Sequence, residues 1–211
     1  MSEAVLVFAR EPAAGRAKTR LIPLLGERGA AELYARLLAH TLREVAAIDR
    51  PELWRVACLE PPEALARARE FLPEGFDVIA QACGDLGAKL VGAFATAFER
   101  GAERAIALGT DCLDLTRERI AAALASLEEH DAVLGPALDG GYYLLGLSRR
   151  LAPDLERVFA KIPWSTEHTL DAQRAALRRV GVEPSLLEPL RDLDTPEDCA
   201  ALRERWRGVV S

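Results

Sequence analysis

Between Arg10 and Leu21 the chain reads Arg-Glu-Pro-Ala-Ala-Gly-Arg-Ala-Lys-Thr-Arg-Leu, so three cations, Arg16, Lys18 and Arg20, follow Gly15 within five residues. Arginine offers phosphate oxygens a planar fork of donors, and lysine offers a compact charge. A glycine lets backbone and ligand come close. The stretch therefore reads as a phosphate-binding loop with Arg10 at its entrance; a solvated basic turn is the ordinary alternative. It is not the phosphate loop of P-loop nucleotidases, which needs a glycine directly before its lysine and another five residues earlier. Ala17 and Pro12 hold those places.

Acids form the second group. In Gly109-Thr110-Asp111-Cys112-Leu113-Asp114, two carboxylates three residues apart follow an apolar run. Such a pair can hold a hard divalent cation, Mg²⁺ or Mn²⁺, with help from substrate phosphates, and Asp111 is the better ligand. The alternative is helix capping by Asp114 or Thr116. Asp192 and Asp194 point the same way in an extended segment and would complete a metal site begun at Asp111. Their competing reading is the approach to a helix, with Thr195 as cap and Pro196 in the first helical position. Asp139-Gly140-Gly141-Tyr142-Tyr143 signals a hairpin; its glycines also permit close approach of a ring or sugar, on which Tyr142 or Tyr143 would stack. Gly84-Asp85-Leu86-Gly87 reads as a turn into a helix whose start meets a ligand. Pro163-Trp164-Ser165-Thr166 reads as a turn into another helix, with Ser165 as its cap and Trp164 in the core.

Several chemistries are excluded. No G-x-S-x-G elbow is present, which argues against a serine hydrolase. The four cysteines form no C-x-x-C pair and the three histidines lie far apart, which argues against structural zinc. With 27 basic and 33 acidic residues the net charge is −6, unsuited to general binding of nucleic acid or membrane surfaces. The start of the chain carries no basic segment, and the apolar run Val5–Ala9 is too short for a signal peptide or membrane span. Reduced thiols and a cytoplasmic location are expected.

These residues need a scaffold, and the hydrophobic pattern supplies one. Val5–Ala9 is a continuous apolar run, as in a strand buried on both faces. Helical spacing follows over Gly29–Ile48, then strand Trp54–Leu59, helix Pro62–Leu72, strand Phe76–Ala80, helix Leu86–Arg100, strand Arg104–Leu108 and helix Thr116–Glu128. Two strands, Asp131–Gly135 and Tyr142–Leu147, flank a Gly-rich turn. Helices follow near Ala152–Ala160 and Thr166–Val180, with a last one after Pro196. Alternating strands and helices predict one α/β domain over residues 1–211, three layers deep (α/β/α), with a mostly parallel central sheet. Ligands of such sheets bind beyond the carboxyl ends of the strands, where Arg10–Arg20, Gln81–Gly87, Gly109–Asp114 and Pro136–Gly141 follow the expected strands and hold most of the unusual residues.

Taken in order, Phe8-Ala9-Arg10, Gly15-Arg16, Lys18-Thr19-Arg20-Leu21, Gly84-Asp85-Leu86-Gly87, Gly109-Thr110-Asp111-Cys112, Asp139-Gly140-Gly141-Tyr142-Tyr143, Pro163-Trp164-Ser165-Thr166 and Asp194-Thr195-Pro196-Glu197-Asp198 resemble the bacterial radical-SAM/selenodomain-associated transferase family, a glycosyltransferase-like group. Lys18-Thr19-Arg20-Leu21 is also similar to the phosphate loop of phospholactate guanylyltransferases. The resemblance implies the nucleotide-diphospho-sugar transferase (GT-A) fold. It also implies phosphate-holding roles for Lys18 and Arg20, metal ligation by Asp111 with Asp194, and a place for Gly140 and Gly141 under the sugar or acceptor. Leu113 departs from the family pattern, where proline is expected.

The expected function is metal-dependent transfer from an activated nucleotide to a small phosphorylated or hydroxylated acceptor. Nucleotidyl transfer is favoured, because a departing pyrophosphate needs a dense cation clamp. A glycosyltransferase using a nucleotide sugar is one alternative; a non-catalytic nucleotide-binding module is the other.

Overall fold

The computed structural model describes residues 2–202. Its centre is β1 (Glu3–Arg10), in which Ala4 to Val7 are wholly buried. Alternate side chains serve opposite faces, as a pleated strand requires. Val5, Val7 and Ala9 join one core cluster, Ala4 and Leu6 the other. β1 pairs in parallel with β2 (Leu53–Glu60) on one side and β4 (Arg104–Leu108) on the other. The seven strands run in the order β3-β2-β1-β4-β6-β5-β7, where β3 is Asp77–Ala80, β5 Ala132–Pro136, β6 Tyr142–Ser148 and β7 Ser185–Leu186. β6 is antiparallel to both neighbours; every other pairing is parallel.

Helices cover both faces, giving the expected three-layer α/β/α arrangement. α1 (Ile22–Ala46) and α3 (Arg117–Ser126) close one side with Tyr34, Leu38, Leu42, Ile120 and Leu124. α2 (Leu86–Glu99), α4 (Leu155–Val158) and α5 (Thr169–Arg179) close the other with Leu90, Phe94, Val158 and Leu177. α6 (Pro196–Leu202) adds Cys199 to a third, smaller cluster with Leu21, Leu33, Leu37, Leu113 and Leu193. That cluster ties the first loop to the last segment of the chain. No described helix is long and apolar enough to cross a membrane.

The departures from expectation are local. α1 starts at Ile22, before the expected Gly29, and is interrupted at Gly26 (φ 72°). Residues Pro62–Glu70 wind as a 3₁₀ helix, not an α-helix. A run this short is marginal as an independent α-helix in any case. Ser165 does not cap a helix, because α5 begins only at Thr169. At α6 the expected cap is present in reciprocal form: the Asp198 amide donates to Thr195 Oγ1 (3.3 Å) and the Thr195 amide donates to Asp198 Oδ2 (2.9 Å).

Candidate active site

Three segments meet at the carboxyl ends of β1 and β4. The first is the loop after β1. Its entrance is fixed by the Arg10 amide, which donates to the Tyr34 hydroxyl of α1 (2.7 Å), and by buried Glu11, which pairs with Arg67. The Arg16 amide donates to the Ala13 carbonyl (3.1 Å), and the Leu21 amide closes on Lys18 O (2.8 Å). Between these turns Lys18 adopts a left-handed conformation (φ 50°), uncommon for a residue with a Cβ. The second segment follows β4, where the Gly109 amide donates to Tyr143 O (3.1 Å). The third is residues 190–194, held against the second by the Leu193 amide, which donates to Asp111 O (2.9 Å).

This convergence buries the Lys18 side chain to 3% exposure and sets its Nζ 2.7 Å from Asp111 Oδ1 and 3.5 Å from Asp194 Oδ1. Burial works against the ammonium charge, but the Asp111 and Asp194 carboxylates outweigh it and hold the Lys18 pKa above its ordinary value. Arg20 Nη1 lies 2.6 Å from Asp194 Oδ2. Asp192, two residues away, turns elsewhere and accepts a hydrogen bond from Cys112 Sγ (2.5 Å). Burial, with the charges of Asp111 and Asp139, pushes the Asp192 carboxyl up to about 6. Burial and the Asp192 charge likewise push the Cys112 thiol well above its usual range.

Two adjoining cavities open here. One of about 450 Å³ is lined by Arg10, Arg16, Lys18, Arg20, Thr110, Asp111, Ser165 and Asp194, together with Phe8, Tyr34 and Leu86. The other, about 270 Å³, shares Arg20 and Asp194 and adds Leu138, Asp139, Arg191, Asp192 and Asp198. Most of the residues singled out in the sequence thus face one of two neighbouring spaces.

The remaining ones have jobs within the fold. Asp85 Oδ1 accepts from the Ala88 amide and caps α2. Gly84 (φ 120°) makes the turn before it, and Gly15 (φ 74°) the turn before Arg16. Gly140 (φ 88°) accepts a hydrogen bond from the Leu170 amide (2.9 Å) and leaves no room for a side chain, since a Cβ there would stand 2.2 Å from Glu167 O. The space into which a Gly140 Cβ would point is therefore filled by the turn before α5. The Gly141 amide donates to Asp139 Oδ1 (2.9 Å). Tyr142 and Tyr143 do not stand free for stacking: their hydroxyls donate to Gln173 Oε1 (3.3 Å) and Glu188 O (3.1 Å), and their rings pack on opposite faces of the sheet. Thr166 Oγ1 donates to Pro163 O (2.8 Å). Sequence reasoning missed Tyr34, since an aromatic residue on an amphipathic stripe reads as core. It also missed Leu138, which is 60% exposed at the second cavity.

A divalent cation fits this arrangement with two protein ligands. Asp111 and Asp194 both reach the Lys18 ammonium, so both reach one cation position. Asp111 Oδ1 is buried and, the Lys18 ion pair apart, has no hydrogen-bond donor. Among the described residues no group of three or more His, Cys, Asp or Glu is arranged around a common point. Magnesium commonly takes one or two carboxylates and completes its shell with phosphate oxygens and water.

The sheet order and the loops gathered at its carboxyl edge define the nucleotide-diphospho-sugar transferase fold. Residues 41–166 match the family described as uncharacterized protein conserved in bacteria (DUF2064), and the chain belongs to that family. No protein of curated function matches it. Among solved structures it is similar to a candidate nucleotide-diphospho-sugar transferase from Desulfovibrio desulfuricans G20, with 27% identity over 100% of this chain and 97% of that one (TM-score 0.86). It shares its fold with CMP:2-keto-3-deoxy-manno-octonic acid synthetase complexed with CTP, at 12% identity over 99% of each chain (TM-score 0.60). It also shares its fold with Rv0371c of Mycobacterium tuberculosis H37Rv in complex with manganese, at 18% identity over 97% of this chain and 99% of that one (TM-score 0.51). The likeness at 27% identity supports a transferase; the other two, at 12% and 18%, show the fold alone.

Proposed function

We propose that this protein is a metal-dependent nucleotidyltransferase that joins a nucleoside monophosphate unit, taken from a nucleoside triphosphate, to a small acceptor and releases pyrophosphate. One observation carries the reading: the four cations of the first loop line a single cavity with two carboxylates that already share a cation. Arg16 is exposed and has no carboxylate partner among the described residues, so its charge is available to the outer phosphates. Lys18 is buried and Arg20, though exposed, is tied to Asp194, so both stand beside the acids, where charge would collect on the departing pyrophosphate; preorganised cations at such a point lower the barrier. Asp111 and Asp194 would hold Mg²⁺ or Mn²⁺, which supplies neutralising charge beside the reacting phosphate. An acceptor oxygen in the smaller cavity bonds to the α-phosphorus as the bond to the bridging oxygen breaks. A phosphate acceptor needs no base; a hydroxyl acceptor would give its proton to Asp192, whose carboxyl titrates at about 6. The CTP-bound neighbour supports nucleotide use and the manganese-bound neighbour supports a metal. All four cysteines are free thiols, in keeping with the cytosol, where nucleoside triphosphates are at hand.

The test is a panel of nucleoside triphosphates with Mg²⁺ and phosphorylated or hydroxylated acceptors, read as pyrophosphate. One triphosphate with one acceptor should stand out; a panel silent throughout removes the proposal. The similarity to a candidate nucleotide-sugar transferase keeps glycosyl transfer as the second reading, and release of UDP or GDP from a nucleotide sugar would establish it. Binding without turnover, with Asp111→Ala costing affinity alone, would identify a non-catalytic module.

A further inference from the structure

Lys18 reaches inward, and its ammonium stands at the point where the two best metal ligands converge. We propose that Lys18 and the divalent cation are alternative occupants of the Asp111–Asp194 pair, so that arrival of the metal releases Lys18 to the nucleotide phosphates. The inference rests on Asp111 and Asp194 being the metal ligands, as proposed above.

Three observations and one electrostatic argument lead to it. Nζ lies 2.7 Å from one carboxylate and 3.5 Å from the other, inside the span a bound ion would occupy. Two like charges at such separations repel strongly in a partly desolvated site, so ammonium and metal do not share the pair. Among the described residues no group of three or more His, Cys, Asp or Glu could hold a metal beside the lysine. Lys18 also lines the cavity of about 450 Å³, so its flexible stem can carry Nζ from the carboxylates to a phosphate without rearranging the backbone. With the metal absent, lysine neutralises the acids; with metal and triphosphate present, the lysine's charge moves to the phosphates. A free triphosphate would leave the two acids facing its own negative charge, so nucleotide is expected to bind more tightly once the metal is in place.

The test is Mn²⁺ binding to nucleotide-free protein, followed through the electron paramagnetic resonance of the free ion. Lys18→Met should bind Mn²⁺ about tenfold more tightly than the unmodified chain, since the competitor is gone. Equal or weaker binding overturns the proposal alone, and no binding to either form overturns it together with the metal-site assignment. Should the variant fail to fold, the unmodified protein still decides. It has three lysines, Lys18, Lys89 and Lys161, so side-chain ¹⁵N resonances are few. The buried Lys18 signal should move to a solvent-exposed position as Mg²⁺ saturates the site; an unmoved signal overturns the proposal. Neither readout uses turnover, so an inactive triphosphate panel would remove the nucleotidyltransferase reading and leave this result standing.

Discussion

Arg16, Lys18 and Arg20 have equal formal charge and unequal surroundings, and they should fail in different ways. Arg16 is exposed and unpaired among the described residues, so Arg16→Ala should raise KM for the triphosphate roughly tenfold and leave the melting temperature unchanged. Lys18→Ala removes a cation from the reacting centre and should lower kcat by about 10²–10³. Steady-state kinetics beside a thermal melt separates the two; equal losses from both variants would contradict the assignment. Asp192 supplies a test in pH. Its carboxyl titrates at about 6 in the fold against 3.8 ordinarily. The folded chain keeps this proton longer than the unfolded one, so the group favours folding below about pH 4 and that advantage is lost as pH rises to about 6. Asp192→Asn should therefore gain roughly 2 kcal/mol relative to the unmodified protein between pH 4 and pH 7. Urea unfolding in EDTA at both pH values measures the difference, and an equal effect at both would refute the assignment.

At the level of elements, the β5–β6 hairpin and α5 depend on one glycine. Gly140 combines φ 88° with a Cβ position 2.2 Å from the Glu167 carbonyl. Gly140→Ala should cost about 3 kcal/mol, set by strain and overpacking together. Gly101→Ala, at φ 94° in open space, should cost about 1 kcal/mol. Equal urea midpoints for the two would show that the turn before α5 yields. The elements themselves were largely legible in the sequence. Buried strands such as β1 and β4 betray themselves as unbroken apolar runs, and the Asp139–Gly141 turn announced the hairpin that makes β6 antiparallel. β7, two residues long, and the lone bridge between Ala137 and Leu190 carry no pattern to read. Much of the site was legible too, because Lys18, Asp111 and Asp194 follow or approach element ends. The ion pair that joins them was not, since spacing along a chain says nothing about which acid a lysine will meet across the fold. Tyr142 was misjudged because its hydroxyl partner, Gln173, lies on a helix whose docking no local pattern reveals.

For the whole molecule, a ligand that bridges three segments must stabilise all of them. Triphosphate with Mg²⁺ at about a hundredfold its Kd should add about 2.7 kcal/mol and raise the melting temperature by roughly 5–10 °C. Neither component alone should match it; an equal rise with triphosphate in EDTA would speak against a metal-linked site. The joint between Lys18 and Asp194 has one more consequence. The two residues are 176 positions apart. The basic loop and the acid that faces it thus belong to distant stretches of the sequence, held together by folding alone. A proteolytic nick anywhere between them would leave the cavity intact only while the two fragments stay associated, and their parting would separate its cations from Asp194.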